Sequence, residues 1–148
     1  MSGPADATSP EDQARLRAAV AERMPTAPFI SLLGLEVERF EPDRVTMRLP
    51  FREDLTNDGV HYHGGAIASA LDTCGSLAAW SNHDFSKGTR ASTVGLSIQY
   101  VGACTRSDLV CHATTVRRGK ELTFVDITGE DAQGKVVARA LLTYRIVA

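Results

Sequence analysis

The sequence predicts an α+β domain in which an antiparallel sheet wraps one long apolar helix, with an extra helix at the N-terminus. Three observations predict it. Across residues 65–82, Ile67, Ala70, Leu71, Cys74, Leu77 and Ala78 recur at helical spacing and give one broad apolar face. After it, segments 92–101, 109–117, 122–130 and 136–146 read as strands, joined by connections rich in Gly or charge at 105–108, 118–120 and 131–134. Hairpin-linked strands with a single long helix suit a sheet folded over that helix. One helix covers one sheet face only, so the other face or an edge is expected to meet another subunit.

Taken in order, residues 1–10 are small, polar and Pro-containing, and are expected to be disordered. Residues 11–23 read as a helix, with Ser9 as its cap, Pro10 at the first helical position and Leu16, Ala19 and Val20 on one face. Pro25 and Pro28 end it, and 29–33 form a short apolar turn or helix. Segments 35–40 and 44–49 alternate around a Glu41-Pro42-Asp43 turn, as paired strands do. Residues 51–63 read as loop. The chain divides into a tail and helix at 1–28 and one domain at 29–148, in keeping with a total of 148 residues.

Composition narrows the function classes. Lys and Arg total 16 against 18 Asp and Glu, a net charge of −2, which speaks against nucleic acid or an anionic membrane as partner. The longest apolar-leaning stretch, 66–80, is too short to span a bilayer and contains Asp72. The first residues lack the basic start and apolar block of a signal peptide, so a cytoplasmic location is expected. Cys74, Cys104 and Cys111 are odd in number and lack CxxC spacing, which suits reduced, buried thiols.

The chemistry concentrates in Asn57-Asp58-Gly59-Val60-His61-Tyr62-His63-Gly64-Gly65, which runs into the helix carrying Asp72. Two glycines at a helix entrance leave backbone N–H groups open to a ligand, where the helix dipole adds positive charge. A carbonyl oxygen becoming an oxyanion would be stabilised there. Taken alone, the glycine pair is equally a plain loop-to-helix turn. Asp72 sits among small and apolar residues, a poor place for Asp unless it has partners or work. It is equally readable as an exposed or structural carboxylate.

Asn57, then His63-Gly64-Gly65, then Asp72 nine residues after the His, resembles the hotdog-fold acyl-CoA thioesterases of the phenylacetate-degradation (PaaI) type. The order of elements from about Phe29 to Ala148 follows that fold. The strand Thr93-Val94-Gly95-Leu96-Ser97-Ile98-Gln99-Tyr100 resembles the family's strand after the helix, and Val116-Arg117-Arg118-Gly119-Lys120 its basic turn. The segment 58–62, with His61 and Tyr62, departs from the motif. The resemblance implies hydrolysis of an acyl-CoA, with coenzyme A as part of the substrate and no other cofactor. Gly65 N–H would polarise the thioester carbonyl, with Gly64 beside it. Asp72 would act as general base or as nucleophile. Asn57 would position water or carbonyl, and Thr93 would hydrogen-bond Asp72 or the water. His63 would shape the turn or bond near the thioester sulfur. Arg117, Arg118, Gly119 and Lys120 would meet the nucleotide phosphates, though they also read as a solvated hairpin turn.

Other readings stay open. A hydratase or dehydratase on the same fold would use His63 and Asp72 as an acid–base pair. A non-catalytic acyl-CoA-binding module would need neither. A metal site fits poorly, since His61, His63, His83 and Cys74 match no common zinc spacing. Cys74 lies on the apolar helix face, where a thiol is inert packing. Trp80, Phe29 and Leu33 could line an acyl pocket or belong to the core. Gly65 and Asp72 are seven residues apart, roughly 10 Å along the axis at about 1.5 Å per residue. One carbonyl cannot meet both in one chain, so sites shared between subunits of a homodimer, or of a dimer of dimers, are expected.

Overall fold

The computed structural model describes residues 9–148. The expected disorder of 1–10 therefore lies outside the described residues, except at Ser9 and Pro10, which cap and begin a helix. Helix α1 spans Pro10–Arg23, and the Ser9 hydroxyl accepts the Asp12 N–H at 3.0 Å. Its half-buried side, Leu16 and Val20, packs on the core. Polar ties fasten it further: Arg17 donates to the His83 carbonyl at 2.9 Å, and the Gln13 carboxamide bridges Asp84 and the Phe85 N–H. A 3₁₀ turn at Met24–Thr26 and helix α2 at Pro28–Leu33 follow, each with a proline in its first turn, where a missing N–H costs nothing.

Strands β1 (Glu36–Glu41) and β2 (Arg44–Leu49) form a hairpin. Its turn residue Asp43 takes a left-handed φ of 64°, held by bonds from Arg118 at 2.6 Å and Asn82 at 2.7 Å. Helix α3 spans Gly64–Ser81, and strands β3 (Arg90–Tyr100), β4 (Leu109–Arg118), β5 (Leu122–Asp131) and β6 (Val136–Val147) complete the chain. The sequence placed each of these elements to within two residues. All neighbours in the sheet are antiparallel, in the order β1-β2-β4-β5-β6-β3.

The alternation of the strands sends Val45, Met47, Leu109, Cys111, Val125, Ile127 and Leu142 inward. There they meet Ala70, Leu71, Cys74, Leu77 and Ala78 of α3, all fully buried. The helix comes nearest the sheet at Gly75, where a Cβ would lie 2.6 Å from Leu142 Cδ2 and 2.9 Å from Ile127 Cδ1. The three thiols are free and buried. Burial pushes Cys74 up to about 12 and Cys104 up to about 11, so neither is a thiolate near neutrality. Among the described residues no helix is long and apolar enough to cross a membrane.

The two sheet margins differ. Strand β1 is six residues long, irregular between Val37 and Arg39, and exposes Glu36, Glu38, Arg39 and Glu41. Strand β3 is eleven residues long and exposed over most of its length, and Val94, Tyr100 and the following Val101 are each more than half accessible.

Candidate active site

The entrance of α3 is built by His63. Its extended backbone places the ring over the first turn, where Nδ1 accepts the Gly65 N–H at 2.7 Å. Its carbonyl accepts from Ala66 at 3.0 Å and Ile67 at 3.2 Å. The ring lies so close that a Cβ at position 65 would sit 2.9 Å from Nδ1, so any side chain there would have to push the imidazole aside. Gly64 has a lid of its own, since the Tyr100 hydroxyl donates to its carbonyl at 2.9 Å. The sequence reading left the Gly65 N–H open to a ligand. Here the imidazole occupies it, and a carbonyl oxygen reaches that donor only by displacing the ring.

The added residues of the preceding loop brace it. The Asp58 carboxylate accepts the N–H groups of Val60 at 2.9 Å and His61 at 2.8 Å and pairs with His61 Nδ1 at 2.7 Å. These bonds, the His61 N–H foremost, hold the carboxyl far below its ordinary range. His61, outside the motif, thus serves the loop. Asn57 is exposed, and its own N–H bonds the His61 carbonyl at 2.9 Å. The structure does not bring it to Asp72 within one chain.

Asp72 lies half-buried on the outer face of α3 and accepts a 2.6 Å bond from the Thr93 hydroxyl. A bulge places that hydroxyl: the β3–β6 register shifts between Thr93 and Gly95, which re-aims the side chain at the helix. The pair opens on a cavity of about 550 Å³ walled by Met24, Ala27, Ile30, Ser76 and Tyr144. Burial raises the Tyr144 phenol above its ordinary value; a bond from Trp80 opposes this and the Asp72 charge adds to it. Tyr144 therefore stays protonated beside the carboxylate. His63 and Gly65 line a second cavity, of about 370 Å³, which shares Phe29 and Ser69 with the first. The motif's two ends thus open on adjoining cavities along one helix face, without meeting.

The basic turn divides. Arg117 and Lys120 are exposed. The Gly119 N–H closes the turn on the Leu122 carbonyl at 2.7 Å. Arg118 points inward instead, donating to Asp43 at 2.6 Å and to the Ala79 carbonyl at 2.8 Å. Its guanidinium ties the β1–β2 turn to the end of α3, so here it serves as a strut, pointing away from the exposed Arg117 and Lys120. Tyr100, Tyr144, Ser69 and Ser76 border the site although sequence reasoning did not single them out. The alternation of β6 signals that Tyr144 points inward; nothing local signals that Met24 and Ile30 roof Asp72.

Comparison with known proteins agrees with this architecture. A profile of the Thioesterase superfamily matches residues 59–138, more than half of the chain. A protein of Saccharolobus solfataricus whose name proposes an esterase is 30% identical over 119 residues, covering 80% of this chain and 83% of its own. Two solved structures share the fold: the PaaI protein of the Escherichia coli phenylacetic acid degradation operon, at TM-score 0.79 and 19% identity over 95% of this chain and 97% of that one, and a hypothetical thioesterase protein with coenzyme A from Streptococcus pneumoniae, at TM-score 0.69 and 21% identity over 77% and 86%. With its sheet wrapped on one helix and the profile spanning the motif's His63, both glycines, Asp72 and Thr93, the chain belongs to the thioesterase superfamily and is a thioester hydrolase of the hotdog fold.

Proposed function

We propose that the chain hydrolyses acyl-CoA thioesters to the free acid and coenzyme A, at sites shared between two copies. One observation carries this reading: a half-buried carboxylate, oriented by Thr93, at the mouth of a largely apolar cavity. Such a carboxylate can take a proton from water as it attacks the acyl carbon. Alternatively it attacks directly, expels the thiolate and leaves an anhydride that water opens. Either route consumes one water and needs no cofactor beyond the substrate's own coenzyme A. A coenzyme A complex of a Streptococcus pneumoniae relative supports the substrate class.

The oxyanion donor comes from a second copy. Gly65 of the same chain is seven residues, roughly 10 Å, from Asp72 along the helix. Strand β3 supports a partner, since a long, exposed, partly apolar edge is a template for strand pairing. Two β3 edges paired about a two-fold axis set the two α3 helices antiparallel, with Gly65 of one copy near Asp72 of the other. The substrate carbonyl displaces the His63 ring from the Gly65 N–H, and Asn57 positions the water. The same symmetry carries the β4–β5 turn, which lies at the far end of α3, towards the other copy's helix entrance. Arg117 and Lys120 meet the nucleotide phosphates there. Two such dimers can further associate through the uncovered sheet face. The neutral, buried thiols suit a cytoplasmic location.

Thiol release from a panel of aryl and aliphatic acyl-CoAs tests the activity, and Asp72→Ala is expected to lower kcat on the order of 10²-fold or more. Sharing is tested by refolding Asp72→Ala together with Gly65→Pro, which removes the N–H. Random pairing restores about a quarter of wild-type sites. If both variants fold and pair and no activity returns, the shared site is wrong.

A further inference from the structure

The cavity at Asp72 has a neighbour of nearly equal size. A second hollow of about 540 Å³ lies beneath α1, walled by Leu16, Ala19, Val20, Trp80 and Phe85. Met24, Ala27 and Ile30 border both hollows, so one short stretch between Pro25 and Pro28 and its flanks is their common partition. The floor is continuous, because Asp72, Ser76 and Trp80 succeed one another at four-residue intervals on one face of α3. That floor is about 12 Å long, at about 1.5 Å per residue. Its polar atoms are already engaged: the Ser76 hydroxyl donates to the Asp72 carbonyl at 2.7 Å and the Trp80 N–H to Tyr144 at 3.2 Å. What faces the inner hollow is therefore mostly apolar. Trp80 and Phe85 stack at 5.5 Å between ring centres and close its end. The partition is soft at Met24, whose unbranched thioether side chain changes shape easily.

We propose that the two hollows are one acyl channel, opened at Met24, and that the substrates are thioesters of straight, medium-length acyl chains. This rests on the thioesterase reading above. An extended chain advances roughly 1.25 Å per carbon, from a bond of about 1.5 Å and an angle of about 111°. The floor from Asp72 to Trp80 then takes about ten carbons. Short or aryl acyl groups occupy the first hollow alone. Every methylene that enters the second leaves water and gains roughly fourfold in affinity.

The test uses S-alkyl-CoA thioethers, which bind without turning over, in a butyl, hexyl, octyl and decyl series measured by titration calorimetry. Wild type is expected to tighten with each methylene to about decyl. Ala19→Trp fills the inner hollow alone, and should flatten the series beyond hexyl while leaving butyl unchanged. Leu16→Ala enlarges the same end and should move the tightest binding to longer chains, which decides the matter if Ala19→Trp does not fold. Decyl binding no tighter than hexyl in wild type overturns the channel, as does a folded Ala19→Trp that weakens butyl and decyl equally. A Leu16→Ala series identical to wild type overturns it as well. Turnover is read separately: tight decyl binding with no thiol release from any acyl-CoA sinks the hydrolase reading and leaves the channel standing.

Discussion

Thr93→Val removes one hydroxyl and keeps the side chain's shape, which makes it a sharp probe of the Asp72 pair. The bond lost is hydroxyl to carboxylate at 2.6 Å, the short charge-assisted kind. Hydrogen bonds to charged groups contribute about 1.5–3 kcal/mol. Thr93 is exposed and Asp72 only half-buried, so water partly replaces the lost donor and the lower end applies. At about 1.36 kcal/mol per decade, kcat for thiol release falls about tenfold. Asp72→Ala falls further, by about 10²–10⁴, because it removes the reacting carboxylate itself. In the Asp72→Ala background, Thr93→Val should change the residual rate less than about twofold, since no carboxylate remains to be oriented. Thr93→Ser keeps the donor and most of the rate. Unfolding free energies recorded alongside should fall by about 1.5 kcal/mol at most, the contribution of the same bond in the folded chain. An equal tenfold loss with and without Asp72 refutes the coupling, and so does a Thr93→Val loss as deep as that of Asp72→Ala.

Three further outcomes follow from the packing and the charges. Gly75→Ala gains about 1 kcal/mol of helix propensity but forces a methyl against Leu142 and Ile127, which are fully buried; overpacking of about 1–3 kcal/mol prevails, and thermal melts should fall by a few degrees rather than rise. At Asp43, burial raises the carboxyl but bonds from Arg118 and Asn82 outweigh it, so the folded value lies below 3.8 and the group stabilises above that pH. Asp43→Asn should therefore cost about 1–2 kcal/mol in urea melts at neutral pH, a gap that closes as pH falls below 3.8, whereas a gap unchanged in acid would refute the pairing. Replacing Arg117 and Lys120 together by Ala should raise KM for acyl-CoA with little change in kcat and no change on a thioester lacking the nucleotide, while Arg118→Ala lowers stability instead; Arg118→Ala acting on KM alone would reverse the assignment.

The framework was legible because its causes are local. The apolar face from Ile67 to Ala78 specifies α3, and strand alternation gives β2, β4, β5 and β6 with their inward residues. The spacing of His63, the two glycines and Asp72 marked the segment to study, and the Thr93 hydroxyl bonds Asp72, one of the two contacts that the family resemblance implied for it. What stayed hidden depends on side-chain direction and on long-range neighbours. The Arg117-Arg118 pair reads as one basic patch, yet an irregularity in the β4–β5 register between Thr115 and Arg117 reverses the alternation and turns the second guanidinium towards Asp43, seventy-five positions away. A histidine before two glycines does not announce that its ring will cap the very amide it borders. The roof over Asp72 comes from Met24, Ala27 and Ile30, assigned to a tail and a short apolar turn, and only the docking of α1 and α2 brings them there.

The unequal margins of the sheet bear on how many copies can join. A pair united through β3 has a sheet of twice six strands, and both of its outer limits are β1. Those limits are short and irregular at Val37–Arg39, and they carry the charged pairs Arg39–Glu41 and Arg48–Glu38 beside Glu36, so they offer no long, straight, apolar edge for a second pairing. Growth in the hydrogen-bonding direction accordingly stops after one step. One adhesive margin and one forbidding margin give a finite object, where two adhesive margins would give a filament. In the pair proposed above, the short charged strand at the margin opposite β3 thus sets the size of the assembly and takes no part in its chemistry.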